Sequence, residues 1–419
     1  MADTLTTNWT DLLYELRGPL QAAYPKAYVL LAEFQRDLSR KNFSGNQVRV
    51  PIYAAVLQGT HALAEGGNVT IPQVDDTLQA HVKMAHMAHP ISVSPELMNQ
   101  TEDNAAAKAI TSKTKRAREA MARGANEMLH GNGDALLAFV TNATTSLTMN
   151  VSSQAGGTVG AAARSLYKGR IVDVRTRSNG ADGGQGLKRK IVSTTKNSDG
   201  TVATITFDTN AFGGGSGSLV FTTNSGVYIQ DSYGAAAQGI QQIGAVTGTF
   251  EDIDKAANEQ WQGTDGRGGA TAFVDPDLGV LDFGILTLGE RTDLSDVDFF
   301  VGDPSVILNY QQQFYSQTRF EAGVGKLETG FKGPLYNGIV MVGDFDHERY
   351  ALTGIVKESL QMYGYTPGPD WDNLTGSMWQ RFGTATARTR NVEAWLVDDF
   401  QFGAHECRTM VRWRNLNRA

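Results

Sequence analysis

Few residues in this chain have a type and spacing suited to chemistry, and each group departs from its motif at a definite position. Gly323-Val324-Gly325-Lys326 has the ending of a phosphate-cradling loop. A complete loop needs glycine five positions before Gly325 and Ser or Thr after the lysine, where Phe320 and Leu327 stand. His347-Glu348 and His405-Glu406 open like zinc-hydrolase motifs, which place a second histidine one helical turn on. Those positions hold Ala351 and Thr409. His81, His86 and His89 form the tightest histidine group. On a strand His81 and His86 take opposite faces, and on a helix they stand about 140° apart, so neither geometry converges three imidazoles on a metal. Cys407 sits beside His405 with no evident orienting partner, and there is no G-x-S-x-G elbow, so a small buried thiol is the plainer reading.

Lys108, Lys113, Lys115, Arg116, Arg118 and Arg123 make one further group. They can touch phosphates, but they spread over more than half a helical circumference without interleaved aromatics. A solvated face, or one that salt-bridges between copies, is the plainer reading. No catalytic residue, no cofactor-binding residue and no metal ligand is assigned. The chain is expected not to be an enzyme and to need no cofactor.

Architecture carries more information. The 419 residues suffice for two to four folding units, and 41% apolar residues are ample for cores. A net charge of −7 argues against a free basic nucleic-acid binder. One cysteine excludes an intrachain disulfide framework. The amino terminus lacks the basic-then-apolar pattern of a signal peptide, and no apolar run approaches the roughly 18 residues of a membrane span. A soluble intracellular product without membrane contact is expected.

The chain is organised around Ser94 to Asp134. Ser94-Pro95-Glu96-Leu97 is a strong helix start: a capping hydroxyl, a proline whose missing N–H is not needed, and a carboxylate at the positive end of the dipole. A helix over 95–130 is predicted, ended by Gly131-Asn132-Gly133-Asp134. At ~1.5 Å per residue it spans roughly 50 Å. Its apolar face is mostly alanine, from Ala105 through Ile110, Ala117, Ala120, Met121 and Ala125 to Met128 and Leu129. Such a rod needs a sheet or another chain beside it.

Before it, residues 1–45 read as an arm with short amphipathic pieces at Leu12–Leu20 and Tyr28–Phe34, which must dock to be stable. Residues 46–80 read as an extended β-hairpin, and beyond it the apolar parity flips from Leu78, Ala80, Val82 and Met84 to Met87, Ile91 and Val93, predicting a bulge or the entry into a two-sided sheet. An isolated hairpin is marginal in water, so it is expected to lie on another chain. After the helix, 166–232 is an all-β insertion, with strands at 171–177, 189–195 and 201–208 and an Asp199-Gly200 turn. Residues 135–165 and 233–330 are grouped as one further unit, the stretch from Glu251 to Asp298 being acidic. Strands return in 331–419, whose carboxy-terminal part carries Arg381, Arg388, Arg390, Arg408, Arg412, Arg414 and Arg418. The acidic middle and basic tail are expected to attract each other between copies.

In this order the elements resemble the major capsid proteins of tailed bacteriophages, the Hong Kong-ninety-seven-type shell fold. The resemblance is carried by Lys83–Val93 running into Ser94, Glu96 and Leu97, by Gly131-Asn132-Gly133-Asp134 closing the helix, and by the glycine–proline turn of Phe331-Lys332-Gly333-Pro334 before the apolar strand Tyr336–Val342. The strand Arg408–Arg412 looks like the closing strand of the family's peripheral sheet. The resemblance implies an α+β capsid fold: an amino-terminal arm over 1–45, an extended loop over 46–80, a peripheral domain of 81–134 and 331–419 with the spine helix, and an axial domain of 135–165 and 233–330 that can also claim part of 355–390. The β-rich insertion 166–232 is additional to that plan.

It also implies a function: a major capsid protein of a tailed double-stranded DNA bacteriophage, self-assembling as hexamers and pentamers into an icosahedral shell. It would reside in the virion after assembly in the host cytoplasm. Its partners would be copies of itself, a separate scaffolding protein, a portal, a possible decoration protein, and packaged double-stranded DNA contacted non-specifically. The lysine–asparagine cross-link of some relatives is not carried over, its residues not being placed in this sequence. Three alternatives stand beside this reading: an encapsulin-like compartment shell, an adhesin-like binding protein built on 166–232, and a metal-dependent enzyme.

Overall fold

The structure is a computed structural model describing residues 28–34, 36–38, 43–44, 47–53, 77–94, 103–142, 144–153, 160–181, 187–211, 219–292, 296–315, 324–327, 331–373, 379 and 392–419. The Leu12–Leu20 piece and the helix start at Pro95–Leu97 lie outside these residues.

The long helix runs Asp103–Leu129, about 40 Å at ~1.5 Å per residue. Ile110, Thr114, Ala117, Met121, Ala125 and Leu129 recur every three or four residues and are buried, while Ala120 faces solvent. The stripe therefore differs from the expected alanine face by taking in Thr114 and Asn126, which are buried polar groups. It packs against the strand Ala85–Val93. The parity flip marks entry into a second sheet and not a bulge: Thr77–Lys83 pairs with Gln47–Tyr53, whereas Ala85–Val93 pairs with Val392–Phe400. One strand ends at Lys83, Met84 breaks the ladder, and Ala85, Ile91 and Val93 then point inward in place of Ala80 and Val82. Ala85–Val93 pairs antiparallel with Val392–Phe400 in a five-stranded sheet that also holds Leu360–Gly364.

The hairpin is present as Gln47–Tyr53 paired in full register with Thr77–Lys83, its 54–76 portion lying outside the described residues. The expectation that it lies on another chain is corrected for this root. Val48, Val50, Ile52, Ala80 and Val82 are buried in the single chain, within the core cluster shared by the long helix and the five-stranded sheet. Strand alternation gives the root one apolar face, and the sheet beneath supplies the burial that a free hairpin lacks. The arm segment Val29–Glu33 docks likewise: Val29, Leu30 and Leu31 are buried, and Phe34 meets Phe402 edge-on at 5.1 Å.

The β block is a closed barrel of Leu136–Val140, Thr148–Ser152, Ile171–Thr176, Arg189–Lys196, Val202–Ala211 and Ser225–Ile229. It thus draws in 136–152, which the sequence reading grouped with 233–330. The cause is visible in the core: Ala138, Val140, Met149 and Val151 alternate inward and complete an interior with Val172, Val174, Ile205, Phe207 and Val227.

Residues 331–419 also divide, rather than forming one unit with the long helix. Lys332–Tyr336, Ile339–Gly343, Leu352–Ile355 and Val411–Trp413 join Phe299–Gly302 and Thr264–Asp265 in a seven-stranded sheet. Its central strand reads Phe-Phe-Val-Gly because both faces are covered. Phe299 and Val301 face the long-helix core, while Phe300 faces the helices Leu278–Arg291 and Pro304–Tyr315 through Trp413 and Tyr336. The carboxy-terminal strand therefore closes this second sheet, not the one under the long helix. Gly333-Pro334 lies inside a strand. The turn is Asn337-Gly338, with φ of 48° and 86°, as a two-residue hairpin of right-twisted strands requires.

Candidate functional site

The residues singled out by type do not converge. Val324–Lys326 is a short strand paired with Lys332–Pro334, so Lys326 does not open a helix as a phosphate loop would. His81 lies 3.4 Å from Asp252, His86 bonds Asp399 at 2.7 Å, and burial lowers the pKa of His89, which pairs across from Leu396. Cys407 is fully buried and its thiol is pushed far up by desolvation. Among the described residues no group of three or more His, Cys, Asp or Glu side chains could hold a metal ion. No described helix is long and apolar enough to cross a membrane.

What the fold does assemble is a buried polar junction at the end of the long helix. Asn126 Nδ2 donates to Asp344 Oδ2 at 3.1 Å and to Asp346 Oδ2 at 2.8 Å. His130 Nε2 lies 3.3 Å from Asp344, and its ring meets that of His347 edge-on at 5.3 Å. His347 continues to the Thr353 hydroxyl at 3.1 Å, in the seven-stranded sheet. Burial pushes the Asp344 carboxyl up, but His130, the Asp346 amide and Asn126 outweigh it and hold it far below the carboxylate range. Asp346 is shifted the other way, by burial and by the Asp344 charge. His347 is driven well below the usual imidazole value by burial and by His130.

The barrel is tied to this junction twice. Arg170 grips Glu127 of the long helix through two parallel bonds of 2.9 and 2.7 Å. The Asn197–Gly200 turn reaches across, where Asp199 accepts from Tyr350 and Arg418, both at 2.9 Å. Arg418 also meets Asp303 at 3.0 Å, and Arg412 pairs with Glu348. Arg412 and Arg418 are thus engaged inside their own chain, which corrects for these two the expectation that they bind acidic groups of a neighbouring copy; Arg381, Arg388 and Arg390 lie outside the described residues. Between helix end, barrel wall and 346–349 loop lies a polar cleft of about 640 Å³, lined by Glu127, His130, Asp134, Arg177, Asp346 and Arg349 among others.

A second anchor holds the hairpin root. Glu251 and Asp252 both take left-handed backbone, φ 52° and 65°, at the turn between Thr249–Phe250 and Ile253–Asp254. The Glu251 carbonyl accepts from His81 N at 3.0 Å, its carboxyl accepts from Ala404 N at 3.1 Å, and Asp252 pairs with Lys83 at 2.9 Å. Nearby, Lys255 buries its ammonium among the carbonyls of Gln242, Ile243 and Ala245, its pKa lowered to about 8 by desolvation. Asn126, His130, Asp344, Asp346, Glu127, Arg170 and Glu251 all escaped the sequence reading. The only signal was polar residues at helix positions 126 and 130, in line with buried 122 and 129.

Two surface features stand out among the described residues. The helix Leu278–Arg291 exposes Leu278, Phe283 and Leu286, Leu286 by 68%, with Asp282 and Glu290 exposed among them. The long helix turns Lys108, Lys113, Lys115 and Arg116 outward.

No family model matches the sequence, and no curated protein does either. Among solved structures the fold is similar to that of the cyanophage A-1(L) capsid asymmetric unit, with a TM-score of 0.52 and 10% identity over 92% of each chain. A structure from Mycobacterium phage Adephagia gives a TM-score of 0.42 at 8% identity, covering 93% of this chain and 90% of that one. The holo-SrpI encapsulin complex from Synechococcus elongatus PCC 7942 gives 0.39 at 8% identity, covering 93% and 87%. At such identities the likeness speaks to fold, and the fold is the mixed helix-and-sheet capsid fold of the Hong Kong-ninety-seven type.

Proposed function

We propose that the protein is a shell subunit: the major capsid protein of a tailed double-stranded DNA bacteriophage, assembling as hexamers and pentamers into an icosahedral container. The observation that carries this is the end-to-end likeness to the cyanophage capsid subunit, 92% of both chains at a TM-score of 0.52. In this reading the long helix with its five-stranded sheet is the peripheral part, and the seven-stranded sheet with its two helices is the axial part. The hairpin root, Gln47–Tyr53 with Thr77–Lys83, is the base of the extended loop and is held on its own subunit. The barrel 136–229 is an added module held by Arg170–Glu127 and Asp199–Arg418.

The work of such a protein is mechanical, not catalytic. Shell contacts bury large areas, typically above about 2,000 Å² for obligate assemblies, and the exposed face of Leu278–Arg291 is a natural part of them. Copies of the chain, a separate scaffolding protein, a portal and the packaged genome are its partners, and the virion its destination. The test is the content of particles purified from cells making the shell with its phage. Nuclease-resistant double-stranded DNA inside supports the reading; a packaged enzyme in place of DNA would identify a protein compartment instead.

A further inference from the structure

The basic side chains of the long helix, which look scattered in sequence, are sorted by burial. Ile110, Thr114, Ala117, Met121 and Ala125 face the core. At about 100° per residue, Lys108, Lys115 and Arg116 fall within an arc of about 100° on the opposite side, with Lys113 beside them. All four are exposed, and among the described residues none has a carboxylate partner; Lys113 donates to the Ser92 carbonyl at 2.6 Å. Glu119 is the one exposed acidic residue on this stretch. The stripe continues to Arg123, which lies 4.9 Å over the half-exposed ring of Tyr167 and adds a phenolic hydroxyl to the same corner.

We infer that this stripe is the surface on which the subunit holds a polyanion, the phosphate backbone of double-stranded DNA. An acidic protein segment is the competing occupant, and the composition of the stripe speaks against it. Protein interfaces deplete lysine at their centre and are anchored by large apolar or aromatic side chains. Between Lys108 and Ala120 the exposed residues other than charged ones are Thr111, Ser112 and Ala120, which offer no anchor. Phosphate contacts need only reachable cations and donors, and they carry no sequence information. Identifying the polyanion as duplex DNA rests on the shell reading, whereas the stripe itself belongs to the single chain.

The test is binding of a fluorescent duplex of about 20 base pairs to the full-length chain, kept below the concentration at which sedimentation shows assembly. With four phosphate contacts the log–log salt slope should be about −3.6, so affinity should fall about 150-fold between about 50 and 200 mM salt. The combined variant K108Q/K113Q/K115Q/R116Q should lose at least about tenfold in affinity at low salt. K188Q/K190Q/K196Q on the barrel should change nothing. Should the combined variant not fold, the single changes K108Q, K115Q and R116Q should each flatten the slope by about 0.9. Salt-independent binding, unaltered binding by the stripe variants, or tighter binding of polyglutamate than of duplex would each overturn the inference. Stripe binding without shell assembly would sink the shell reading alone, and shell assembly without stripe binding would sink this inference alone.

Discussion

His347 is enclosed by His130 on the long helix, Asp344 on its own loop, Arg412 on the carboxy-terminal strand and the Thr353 hydroxyl. Burial and His130 keep it neutral in the folded protein, while the unfolded chain takes up a proton near pH 6.5. The unfolded state then binds more protons, so stability is retained above pH 6.5 and declines as pH falls below it, by up to about 1.4 kcal/mol per unit. Asp344 acts in the same sense, losing its contribution below about pH 3.8. Urea unfolding at pH 7.5 and 5.5 should therefore show a drop in wild type that shrinks by about 1 kcal/mol in His347→Gln. Equal drops in both proteins would contradict the assignment. Glu251 runs the opposite way. Burial raises its pKa, so its folded form keeps a proton that the unfolded chain releases, and stability falls as pH rises above about 4.5. Glu251→Gln keeps an acceptor for Ala404 N and should gain on wild type between pH 5 and pH 8; a gain that vanishes toward pH 8 would refute this. His347 stood out in sequence only as half of a zinc motif, and Glu251 only as the start of an acidic stretch; the junction itself was not legible, because Asn126 and Asp344 lie more than 200 residues apart.

At the scale of elements, local patterning spoke clearly and long-range pairing did not. The parity flip at Met84 and the inward helix positions Ile110, Ala117, Met121 and Ala125 follow from periods of two and 3.6 alone. The barrel escaped because Leu136–Val140 and Thr148–Ser152 are too short to declare which partners they close against. Gly333 was read as a turn residue; its role is close approach, since a Cβ there would lie 1.7 Å from the Met341 carbonyl oxygen. Gly333→Ala should accordingly cost about 3 kcal/mol or prevent soluble expression, and a variant as stable as wild type would show that the strand pair is looser than described. The Arg170–Glu127 pair ties the barrel to the long helix. Arg170→Met leaves Glu127 buried with only Arg123 near it, 3.5 Å away, and should cost about 3 kcal/mol in chemical unfolding. Adding Glu127→Leu should recover most of that loss. A single variant no weaker than the double would argue that the barrel is not held there.

At the scale of the molecule, the described residues form three cores, yet Leu278, Phe283 and Leu286 stand exposed on the outer face of Leu278–Arg291. An apolar group of this kind marks an interaction surface. Leu286 touches little within its own chain, so Leu286→Glu should change subunit stability by less than about 0.5 kcal/mol while abolishing assembly. Electron microscopy of the expressed full-length chain, wild type beside Leu286→Glu and with a scaffolding partner supplied, tests the shell reading most directly. Closed, uniform particles with six- and five-fold clusters from wild type, and none from the variant, are the predicted result. Wild-type protein that stays a stable monomer under all these conditions would contradict it.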